Sequence, residues 1–307
     1  MSLSISLALL GYLLLAVVSI LDKFIVTNDR IKPVVVTFYS TAPLVLLFLL
    51  LPFKIQPLVT PWDWIIALIA GGSFTVALLT MYIGFEKTKV SHSGPLVGAA
   101  IPFFVTFLGI LLLHEHIATV HYVGVGLLII GSLVISFVQT RRQQGWNIQS
   151  LWAVVAGFSF ALSHVASKYL YDRYGFYSGF TWSRGLMGVS GLVLLLVPTV
   201  RDSFRKKSIM LGALHRQHTS AHKIIIVIID KVLGTGAVIL LQYAIALGSV
   251  TLINALTGIQ YALLIILVAA LSRFSPKLFH EEYAPGEIIR EVIAVFIIGA
   301  GLVLLIR

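Results

Sequence analysis

The feature that most constrains this chain is repetition: one predominantly apolar run follows another from its first residues to its last. About twenty such residues in a helix cross the hydrocarbon core of a bilayer. Roughly ten runs of that length can be counted, at about 3–26, 33–53, 62–85, 93–113, 118–138, 150–171, 176–198, 222–247, 250–272 and 286–306. Backbone polar groups in lipid must be bonded within the segment, which a helix achieves. The reading is therefore an all-α polytopic membrane protein. Composition agrees, because only 11% of the 307 residues are charged and 58% are hydrophobic, against about 25% charged in a soluble domain. An ordinary water-soluble enzyme is excluded, and the runs leave no stretch large enough for a separate soluble domain. Cysteine is absent, which removes disulfides, thiolate catalysis, iron–sulfur clusters and cysteine-based zinc sites together. The first run lacks a basic leader and continues into Asp22-Lys23 rather than a small-residue cleavage site, so it reads as a true span, not a cleavable signal.

The formal charge of +10 would suggest nucleic acid in a soluble protein. In a membrane protein it marks cytoplasmic loops instead, and no nucleic-acid partner is expected. Lys and Arg concentrate in the odd-numbered connections: Arg30, Lys32, Lys87, Lys89, Arg141, Arg142, a 201–223 loop holding Arg201, Arg205, Lys206, Lys207, Arg216 and Lys223, then Arg273, Lys277 and Arg290. By the positive-inside bias both termini face outward and the 201–223 loop is cytoplasmic. That loop either binds anionic lipid head groups or is an inert solvated connector.

Motifs recur in order along the chain. Lys23 in "SILDKFIV" is matched by Lys168 in "HVASKYLY", and Pro52 by Pro198. Tyr82 is matched by Tyr243, His114-Glu115 by His280-Glu281, and "IIGS" ending at Ser132 by "IIGA" ending at Ala300. Five spans per copy would insert the second copy upside down. The expected organisation is two inverted five-helix repeats, 1–140 and 141–307, about ten transmembrane helices in all.

The stretch "SHSGPLVGAAIPFFVTFLGILLLHEHIATVHYVGVGLLIIGSLVI" (Ser91–Ile135) resembles the fourth and fifth spans of the drug/metabolite transporter superfamily, EamA-like branch. The residues that carry the likeness are Pro102, Gly109, Glu115, Thr119, Gly124 and Gly131; the second half departs from it, with Leu263 where the first has Pro102 and a longer last loop. The resemblance implies ten spans in two repeats, a central cavity between them, and a carrier that commonly exports amino acids or other metabolites. It also places the chain, as a multi-pass protein, in a prokaryotic inner membrane.

A charge at mid-bilayer costs about 2.5–3.5 kcal/mol on insertion scales and is a functional hypothesis by default. Arg184, near the middle of the seventh run, qualifies best. It either contacts a carboxylate or phosphate in the cavity or hydrogen-bonds backbone carbonyls or a nearby acid. Lys23 and Lys168 either gate the two mouths or snorkel from helix ends. His164, Lys168 and Tyr171 share one helical face, as do Tyr12, Ser19 and Lys23 in the first run, and such stripes must face protein or water. In the ninth run Asn254, Thr257 and Tyr261 share a face with Gln260 beside them; they either bind solute or join helices. Tyr82 and Tyr243 either flank the cavity or belong to an interfacial aromatic belt.

Asp22, Glu86 and Asp230 are the candidate coupling acids, but each precedes a lysine near a span end, which favours local ion pairing. Glu115 and Glu281 precede the fifth and tenth runs, where a carboxylate suits a helix N-terminus; capping is their expected role. The clusters His215/His218/His222 and His114/His116/His121 have metal-like spacing without the second shell a metal site needs, so no metal and no cofactor is expected. Gly94/Gly98 and Gly299/Gly301 serve packing within one chain or a homodimer, and monomer and homodimer both stay open. With no nucleophile elbow or acid pair, the chain is not read as an enzyme. The leading reading is a secondary transporter moving a small-molecule solute such as an amino acid by alternating access, with membrane lipids as its other partners. The alternatives are a flippase or exporter of amphipathic lipids or drugs, and a non-transporting receptor or scaffold.

Overall fold

The computed structural model describes residues 3–26, 32–87, 90–115, 118–140, 151–205, 221–274 and 285–306, and among them the regular structure is helical without a strand. In chain order the helices are α1 (Leu3–Val26), α2 (Pro33–Thr41), α3 (Pro61–Lys87), α4 (Val90–Leu113), α5 (Thr119–Thr140), α6 (Leu151–Val193), α7 (Pro198–Arg205), α8 (Ala221–Leu247), α9 (Val250–Ala255), α10 (Thr257–Phe274) and α11 (Pro285–Ile306). Five helical stretches are long and apolar enough to cross a bilayer: Leu3–Leu21, Pro33–Leu50, Pro61–Glu86, Leu96–Leu113 and Leu151–Leu196; shorter apolar stretches lie in α5, α8, α9–α10 and α11.

Local chemistry sets the boundaries. Pro33 and Pro61 open α2 and α3 at a position where the missing N–H costs nothing. At α3 a reciprocal box closes the end: Thr60 N–H donates to Asp63 Oδ2 (3.1 Å) and Asp63 N–H donates to Thr60 Oγ1 (3.2 Å). After Thr41 the second run tightens into a 3-10 helix, Ala42–Leu50, where Pro43 offers no N–H to the α ladder.

The Leu151–Leu196 stretch holds 46 residues. Straight, it would be about 69 Å long at 1.5 Å per residue, more than twice a bilayer core of about 30 Å. Gly175 resolves this with φ 74° and ψ 168°, a conformation that only glycine adopts readily. The chain folds back there, so a Cβ at Gly179 would lie 2.7 Å from the Tyr171 ring and 2.9 Å from the Leu170 carbonyl carbon. Two antiparallel arms result, 151–174 and 176–193, in agreement with the two runs expected there. The ninth run differs from expectation: it is two helices, α9 and α10, parted at Leu256. There the Thr257 hydroxyl donates to the Asn254 carbonyl (2.6 Å), taking an acceptor near the break.

The second arm of α6 crosses α3 and the 3-10 helix Ala42–Leu50 in backbone contact, since Gly71 faces the main chain at Leu186–Met187 and Gly188 faces the main chain at Leu44–Val45. Any larger residue would hold these helices apart. Elsewhere α1 lies along α8, α5 along α11 and α4 along the first arm of α6. The distribution of polarity is inverted relative to a soluble protein. Leu49 (68%), Phe107 (60%) and Phe296 (74%) are exposed, whereas Thr37, Ser163, Asn254 and Arg184 are buried. That pattern fits a lipid-facing exterior and a polar interior, and the protein is an integral, multi-pass membrane protein.

Candidate functional site

Arg184 stands on the second arm of α6, 2% exposed. Its guanidinium stacks on Phe74 of α3, 4.3 Å from the ring centroid, and Nη1 donates to Met187 Sδ at 3.7 Å, a weak acceptor. Nε and Nη2 have no hydrogen-bond partner among the described residues. Each buried unmet donor costs about 1–3 kcal/mol, more when charged, and a desolvated cation–π contact returns about 2 kcal/mol. The stacking therefore does not offset the burial.

A ring of polar groups surrounds this charge. The Tyr171 hydroxyl, on the first arm of α6, faces Arg184, Ser167 and Ser183 and donates to Gln242 Oε1 of α8 at 2.8 Å. The Ser167 hydroxyl is fully buried near Tyr171 and has no hydrogen-bond partner within 3.5 Å among the described residues. His164 lies beside the Phe74–Phe160 ring pair, and its Nδ1 meets Asn254 Oδ1 at 2.7 Å. Asn254 Nδ2 is already committed to the Val250 carbonyl (2.9 Å), so Oδ1 is the accepting atom and His164 Nδ1 carries the proton. No carboxylate joins this cluster among the described residues.

The residues singled out from sequence fall into three groups. Arg184, His164 and Asn254 belong to the cluster. Thr257 lies in an adjoining layer, where its Oγ1 is 2.9 Å from Tyr12 Oη and Tyr12 donates to the Ile253 carbonyl (3.1 Å); Gln260 Nε2 reaches Ser19 Oγ at 3.4 Å. The others make different contacts. Lys168 pairs with Asp172 one turn on (2.8 Å) and reaches the Ala246 carbonyl (3.4 Å). Tyr243 packs edge-on against Phe176 (4.9 Å) and Tyr82 packs near Phe85 (6.3 Å). The side chains of Lys23, Tyr261, Asp22 and His222, and residues Glu281, His116, His215 and His218, lie outside the described residues. Among those described, no group of three metal-ligating side chains converges.

Glu115 corrects the sequence reading. It does cap a helix N-terminus, but that of α9 in the other half rather than of α5. Its Oε1 accepts from Val250 N–H (2.9 Å), and its Oε2 from the Ser249 hydroxyl (2.9 Å) and Thr251 N–H (3.3 Å).

Sequence reasoning missed Gln242, Ser167, Phe74 and Asp63. Gln242 and Ser167 carried the usual signal, a polar residue inside an apolar run. Phe74 carried none. Asp63 is fully buried, accepting from Tyr174 Oη (2.7 Å) and Tyr169 Oη (3.2 Å) and pairing with Arg173 Nε at 3.3 Å. It ties the start of α3 to the end of the first arm of α6.

Fold and site together define a class: an α-helical, multi-pass membrane protein with a buried cationic cluster among its helices. Residues 2–137 match the EamA-like transporter family, a branch of the drug/metabolite transporter superfamily. A protein solved by crystallography shares the fold, with a TM-score of 0.65 at 16% identity over 98% of this chain and 95% of its own. No curated protein matches.

Proposed function

We propose that this protein is a secondary transporter that exports small metabolites such as amino acids by alternating access, its two inverted five-helix repeats, 1–140 and 141–307, enclosing the Arg184 cluster. The observation that carries this reading is a fully buried guanidinium with open donors at a meeting of both halves: Phe74 comes from the first, and Arg184, His164, Tyr171, Gln242 and Asn254 from the second. A charge at such a place is costly and marks a functional site by default. Helix packing supports the repeat. The third helix of the first half lies on the first helix of the second, and α8, third of the second half if the two arms of α6 count as two, lies on α1. Inverted copies exchange partners in this way. Direction and substrate class rest on the family resemblance.

Counterflow in proteoliposomes tests the reading. Vesicles are loaded in turn with unlabelled amino acids, organic acids, sugar phosphates, nucleosides or cationic drugs, and entry of the matching labelled solute is followed. Saturable exchange for one class is expected. Folded protein that exchanges none of them is not a metabolite carrier.

A further inference from the structure

Which guanidinium atoms lack partners is specific. Nη1 is occupied by Met187 Sδ and the face by Phe74; Nε and Nη2 have no hydrogen-bond partner within 3.5 Å among the described residues, with the Tyr171 hydroxyl facing the group. These two nitrogens form one edge of the planar group, the edge whose two parallel N–H bonds match the two oxygens of a carboxylate. A second donor with no partner within 3.5 Å among the described residues, the Ser167 hydroxyl, is fully buried beside the same Tyr171 hydroxyl that faces Arg184. Charge adds a further restriction. No acid among the described residues stands in this cluster to receive an ammonium group, and the two amide oxygens, Gln242 Oε1 and Asn254 Oδ1, each already accept one hydrogen bond, from Tyr171 and His164. The surrounding wall is apolar, built by Phe74, Phe160 and Met187.

We propose that the Nε–Nη2 edge of Arg184, with the Ser167 hydroxyl, is a carboxylate-binding site, and that its preferred ligand is a small monocarboxylate with an apolar body and net charge −1. Amino acids enter through the carboxylate alone and pay for an unmatched ammonium. This rests on the transport reading for its role but not for its chemistry, since binding is measurable without flux.

The test compares leucine with 4-methylpentanoate, the same skeleton without the amino group, and with leucinamide, which lacks the carboxylate. Inorganic phosphate serves as a non-planar anion. Each competes for exchange in proteoliposomes, and each is titrated calorimetrically against detergent-solubilised protein. The expected order is 4-methylpentanoate, then leucine, with leucinamide and phosphate far weaker. Arg184→Gln lowers affinity for 4-methylpentanoate on the order of 10–100-fold. Arg184→Lys falls between, because an ammonium supplies charge without the fork. Ser167→Ala costs several-fold and keeps the assignment testable should the arginine variants misfold. Leucinamide or phosphate competing as well as 4-methylpentanoate overturns the assignment, as does Arg184→Gln binding unchanged in folded protein. Arg184-dependent binding of 4-methylpentanoate with no flux of any solute upholds the site and overturns the transporter.

Discussion

Tyr171 shows how far a single hydroxyl reaches in this interior. It bonds Gln242 across to α8 while facing the serines of its own helix hairpin and Arg184. Tyr171→Phe leaves Gln242 Oε1 buried without its donor, so stability falls by about 1–3 kcal/mol. Thermal unfolding of solubilised protein reads this as a lowered Tm; an unchanged Tm would mean that the bond contributes nothing. At this scale the sequence was a partial guide. Arg184, His164 and Asn254 stood out because each is polar inside an apolar run, and they do meet. Tyr82 and Tyr243 stood out by recurrence, yet they pack against Phe85 and Phe176 instead. Recurrence reports shared ancestry of position, whereas contact depends on which way a helix face turns.

Helix ends and breaks carry the next level. Gly175 turns one 46-residue helical stretch into two arms through a positive φ, and Gly175→Ala places a Cβ where the left-handed backbone crowds it. A loss of about 1–2 kcal/mol follows, visible as earlier unfolding in denaturant. Glu115 holds the start of α9 from the opposite half. Glu115→Gln removes the charge that faces the helix dipole, weakening the cap by about 1 kcal/mol. Amide hydrogen exchange at Val250 and Thr251 then quickens by about fivefold; equal exchange in both proteins would remove Glu115 as the anchor. The capping role was legible from an acid beside a span end. Its target was not, because 135 residues separate Glu115 from Val250. The split of the ninth run was also hidden, since apolar length is the same for one helix or two.

For the whole molecule, the Lys/Arg bias predicts an orientation that the helix arms make measurable. Asp202 on α7 and Tyr177 beside the Gly175 bend are both exposed, Tyr177 by 80%, and the second arm of α6 with its 3-10 extension lies between them. The chain has no cysteine, so Asp202→Cys and Tyr177→Cys each provide a unique thiol. A membrane-impermeant maleimide is expected to label Tyr177→Cys in intact cells and Asp202→Cys only after permeabilisation; the opposite pattern reverses the topology. Apolar runs, their lengths and their bounding prolines and glycines determined the helical, membrane-embedded character of the chain, because the cost of unbonded backbone in lipid acts on each segment alone. Partners were decided by tertiary structure: Arg184 on Phe74, His164 on Asn254, Glu115 on α9. Those pairings depend on how helices from distant parts of the chain are rotated and crossed, which periodicity within one helix does not specify.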